Sequence, residues 1–215
     1  MFKALQIKTL SSSFYSVAQL TTALWIIANI LFVYVTWGVR IGFRAETPYV
    51  ILLAMVMIIQ LALTYIMIIY FRLKKAYLPL VTFSLFAFSS FALLVLVYAV
   101  YERLLPYSWF NYAVAFSFVY ATLILFGTSL LFSKMRHQKW ILAFALITLL
   151  STGILFYTFF NREFIEPFSF IHRNPNAYYI NWYIQMFCPI FLFFHFRKEM
   201  KKVDRTEDQD VLDMN

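Results

Sequence analysis

Polar and charged residues fall in bunches along this chain, and between the bunches run long apolar stretches without a single Asp, Glu, Lys or Arg. Six such stretches lie at about 17–37, 49–71, 79–101, 112–132, 140–160 and 178–196. Each is ~18 residues or longer, enough for a helix to cross a hydrocarbon core of ~30 Å. A helix satisfies its own backbone hydrogen bonds, which lipid cannot do for it. The alternative spanning structure, a barrel strand, would show polar and apolar residues alternating over ~10 positions, and no segment does. The pattern therefore predicts an all-α, polytopic membrane protein with six transmembrane helices. They form one domain over 1–196, and a charged tail follows over 197–215.

Composition agrees, and charge adds an orientation. Hydrophobic residues make up 63% of the 215 positions and charged residues only 13%, against ~25% in soluble domains. Mean hydropathy is +0.74. The formal charge of +8 would fit nucleic acid, but the basic residues are scattered at the ends of apolar runs, and no nucleic-acid partner is expected. Thirteen of the 18 Lys and Arg residues fall on the side holding the N-terminus, "RLKKAYL", "SKMRHQK" and the tail. Basic residues resist translocation, so both termini are expected in the cytoplasm of a plasma or bacterial inner membrane. The first span exceeds a signal-peptide core and ends in "VTWGVR", so it reads as a retained helix. "KTLSSSFY" offers it serine N-caps. The tail turns from basic to acidic without an apolar stripe, which fits a segment resting on headgroups and then solvated. The one cysteine, Cys188, excludes an intrachain disulfide.

Candidate chemistry is sparse. With no charge in any span, the lysine of a retinal site and the carboxylates of a proton relay are missing. The H-E-x-x-H, Walker A and G-x-S-x-G motifs are absent too. No residue pattern calls for a cofactor or a metal. Asn29 and Gln60, near the middle of the first two spans, are placed to bond across the helix pair. The sixth span carries Asn181, Gln185 and Cys188 at i, i+4 and i+7, on one helical face. Pro189 should free the Gln185 carbonyl and bend the helix. Hydroxyls on other spans, Ser84, Ser89, Ser90, Thr148, Ser151 and Thr152, are available to complete a neutral ligand pocket around that face. The loop 161–177 is the longest connection, and its Glu163, Glu166 and His172 are the candidates for a catalytic pair on the outer face. Pro167 interrupts any single helix that would align them.

Three functions fit these features. The first is an accessory, scaffold or sensory subunit that works through a membrane-protein partner and the surrounding bilayer, with no chemistry of its own. The second is a transporter or binder of a small neutral or lipophilic molecule at Asn181, Gln185, Cys188 and Pro189. The third is a membrane enzyme built on the Glu163/Glu166/His172 loop.

Overall fold

The structure, a computed structural model, describes residues 10–33, 47–101, 104–106, 109–160, 184 and 186–212. Among them every regular element is helical: six long helices and one short 3-10 turn, joined by turns. These are α1 (Ser12–Val33), α2 (Thr47–Leu73), α3 (Tyr77–Tyr101), α4 (Trp109–Phe132), α5 (Lys139–Phe160) and α6 (Ile190–Leu212), with the turn at Lys134–His137. Helices α1 to α5 are each long and apolar enough to cross a membrane. Their outward faces carry large exposed side chains such as Ile58, Phe88, Phe132 and Leu150. Water would penalise such a surface, whereas lipid tails match it.

Element ends follow from local chemistry. The Ser11 hydroxyl accepts from the Phe14 N–H at 3.2 Å and caps α1, which begins at Ser12 rather than near residue 17. Burial of Tyr15 and Ala18 explains the earlier start. At the other end of the first hairpin, α2 closes in a Schellman motif. Lys75 takes the left-handed conformation (φ 54°), Ala76 N–H bonds the Phe71 carbonyl and Lys75 N–H bonds that of Arg72. That three-residue reversal sets α3 antiparallel to α2.

The helices close into a ring. Each packs on its neighbours in sequence, and α6 returns to pack on both α5 and α1. Two hydroxyl pairs join α3 to α4, Thr82–Ser129 and Ser89–Thr122, each at 2.8 Å. Gly127 lets α4 approach α5, because a Cβ there would lie 2.8 Å from Leu149 Cγ. Aromatic rings fill much of the core, with Phe71, Phe83 and Phe126 in mutual contact.

The sixth helix departs from the expected tail. Its backbone stays helical from Ile190 through Leu212 and crosses the 196/197 position without a break. Leu192 and Phe196 are buried, and Met200 and Val203 pack against the same core. Their spacing of i, i+4, i+8 and i+11 is a short apolar stripe hidden among charges.

Candidate functional site

One end of the ring is solidly closed. The start of α1, the α2–α3 turn, the 3-10 turn and the middle of α6 meet there. The Tyr70 hydroxyl and His195 Nε2 lie 2.6 Å apart, both residues fully buried. Phe196 packs edge-on to Tyr70 and tilted against Tyr15, and Trp140 stacks on Phe194. One turn beyond His195, Glu199 accepts from Lys74 at 3.2 Å and from Lys202. Burial alone would push the Glu199 carboxyl up. The Lys202 hydrogen bond, together with the charge and hydrogen bond of Lys74, outweighs that and holds it below the usual carboxylate range.

Above this floor lies a cavity of about 320 Å³, lined from all six helices. It is more than twice the volume of an engineered ~150 Å³ apolar cavity that stays dry and binds benzene. Its lower wall is aromatic and aliphatic, with Met67, Phe83, Phe126, Phe144 and Leu192. Counting along the helices from the closed end places Met67 and Phe83 about 9 Å up, and Gln60 and Ser90 about 20 Å. Asn29, on α1, sits higher, about 25 Å from its start. None of the lining residues is charged or a histidine.

The polar lining residues differ in availability. Asn29 donates to the Trp25 carbonyl of its own helix at 2.8 Å, not across to Gln60 as the sequence led us to expect. Gln60 and Ser90 make no hydrogen bond to another described residue. The Trp25 and Thr148 side chains also line the cavity, but Trp25 Nε1 and Thr148 Oγ1 are packed under other atoms and lack good partners. The Cys188 thiol lies against the Thr148 and Ser151 hydroxyls, a weak contact at best for Thr148.

Of the residues singled out from sequence, Cys188 and Pro189 fall on the cavity wall. The α6 side is broken there. Residues 188–189 form a turn, and Phe191 N–H reaches back only to the Cys188 carbonyl. Asn181, Gln185, Glu163, Glu166 and His172 lie outside the described residues. Of the six hydroxyl residues, Ser90 and Thr148 line the cavity, Ser89 pairs with Thr122, and Ser84 bonds the Leu80 carbonyl on an exposed face. Ser151 and Thr152 are buried nearby. No group of three or more metal-ligating side chains occurs among the described residues. The Tyr70–His195–Glu199 arrangement was not anticipated. Its signal was the helical stripe His195, Glu199, Lys202 opposite the Tyr70/Lys74 pair, spaced i, i+4 on α2.

Comparison with protein-family models, with curated proteins and with solved structures returns no match.

Proposed function

We propose that this chain is a six-span membrane protein, with both termini cytoplasmic, that binds a small neutral lipophilic molecule inside its helical ring. The observation that carries the reading is the cavity of about 320 Å³ lined from every helix. Such a volume lies within the usual range for small-molecule sites, ~300–1,000 Å³. An uncharged wall selects against ions, because a desolvated charge there would find no counter-charge. The packed floor of Tyr70, Phe71, His195 and Phe196 makes the cavity a dead end on that side, which favours holding over free conduction.

The sixth crossing has its own support. Helix α5 runs from the closed end toward Phe160, whereas His195 and Glu199 are back beside Tyr70 and Lys74. The 13 Lys and Arg residues assigned to that end favour the cytoplasm for it, in a plasma or bacterial inner membrane.

The test is native mass spectrometry of protein extracted gently from its membrane, beside thermal unfolding with a panel of lipophilic probes. Wild type should carry a retained small molecule or be stabilised by at least one probe. Val119→Trp, which fills the cavity from α4, should bind it about tenfold more weakly, the effect expected of overpacking a fitted site. A wild type that is empty and indifferent to every probe would remove the reading. One feature favours an accessory role instead, the charged extension of α6 beyond the floor. A protein partner retained at fixed ratio, with no small molecule, would move the assignment there.

A further inference from the structure

The two polar side chains that line the cavity without a hydrogen-bond partner among the described residues and are not covered by other atoms, Gln60 and Ser90, stand at one height, and this assigns both the class of the ligand and the direction in which it lies. We infer that the site takes a neutral alcohol on a compact hydrocarbon body, its hydroxyl held at Gln60 and Ser90 and its apolar part directed down onto Phe83, Phe126 and Phe144. This rests on the cavity reading above and deepens it.

Three observations lead there. Gln60 and Ser90 stand on the adjacent helices α2 and α3, both about 20 Å from the closed end by the helical rise. Neither is hydrogen-bonded to another described residue, yet both line the cavity. An amide or hydroxyl left unpaired in hydrocarbon is costly, and a ligand group that pairs with it recovers that cost. Below that level the wall turns to Met67, Phe83, Phe126, Phe144 and Leu192, which offer a polar group nothing.

The chemistry of the two groups narrows the class. A carboxamide and a hydroxyl both donate and accept, so they match a group that does the same. A hydroxyl qualifies. A carboxylate or ammonium does not, since no lining residue carries the opposite charge. Trp25 Nε1 and Thr148 Oγ1 lack good partners as well, but other atoms cover them, so they do not address the ligand. Size sets the remaining limit. At roughly twice the benzene-binding volume the cavity suits a body of one or two fused rings or an equivalent chain. A whole two-chain membrane lipid does not fit.

The experiment uses two isosteric probes, 2-naphthalenemethanol and 2-ethylnaphthalene, which differ only in a hydroxyl against a methyl. Equilibrium binding is measured on the full chain in nanodiscs, with empty nanodiscs correcting for partition into lipid. The alcohol should bind about 5- to 10-fold tighter than its isostere, the return of one buried hydrogen bond. Gln60→Leu should cut that preference to under about twofold while leaving the isostere's affinity nearly unchanged. Ser90→Ala should reduce it in part. Equal binding of the two probes, or a preference untouched by Gln60→Leu, overturns the assignment of the polar end while leaving the cavity itself a binding site. If neither probe binds, the cavity reading fails and this inference with it.

Discussion

Glu199 shows how much a single side chain can depend on its partners. It is a carboxylate in a nearly buried position, and burial opposes its charge; Lys74 and Lys202 reverse the balance. A carboxyl whose folded-state pKa is depressed contributes stability that is fully present above its unfolded pKa, near 4.5, and is lost as pH falls through the lower folded value. Thermal unfolding in detergent should therefore show a plateau at neutral pH and a decline below about pH 4.5. Glu199→Gln should be less stable by about 1–2 kcal/mol at pH 7 and should lose that part of the acid-side decline. An unaltered pH profile in Glu199→Gln would place the acid sensitivity elsewhere. The ion cluster lies one helical turn beyond the Tyr70–His195 contact, so it also secures the register of α6 against α2.

At the scale of elements, two glycines of similar sequence context have opposite duties. Gly127 sits where α4 meets α5, with Leu149 Cγ only 2.8 Å from any added Cβ; Gly153 has open space around the same position. Gly127→Val should lower unfolding stability by about 1–3 kcal/mol through overpacking. Gly153→Ala should be neutral or raise it by up to about 1 kcal/mol, because alanine is the better helix former. Equal effects at both sites would mean that the α4–α5 approach does not limit packing. The apolar runs had marked α2 to α5 to within about three residues at each end, since span length and hydropathy are properties of contiguous sequence. Helix α6 was harder to read. Its core-facing positions, Leu192, Phe196, Met200 and Val203, are interleaved with Lys and Arg, so average hydropathy hides them. The cavity was least legible of all. It arises where rings and aliphatic chains from six helices fail to fill a common space, and Phe83, Phe126 and Phe144 look no different in sequence from any other core residue. The break at Cys188–Pro189 could be anticipated because proline acts locally.

For the whole molecule, the decisive quantity is which end of the ring faces the cytoplasm, and the floor makes that measurable. Arg136 in the 3-10 turn is exposed at the closed end, Leu105 is exposed between α3 and α4 at the other, and Arg205 is exposed on α6 beyond the floor. Cys188 is the only native cysteine and is buried, so Cys188→Ser provides a clean background. Single cysteines placed at the three positions are then tested in intact cells with a membrane-impermeant maleimide. The proposed topology requires Leu105→Cys to react from outside, with Arg136→Cys and Arg205→Cys reacting only after permeabilisation. Reversal of all three would keep the ring and invert the charge argument. Outside labelling of Arg205→Cys with Arg136→Cys protected is the more damaging result. It would detach α6 from the end that Tyr70 and Lys74 occupy, and with it the wall of the cavity that α6 supplies.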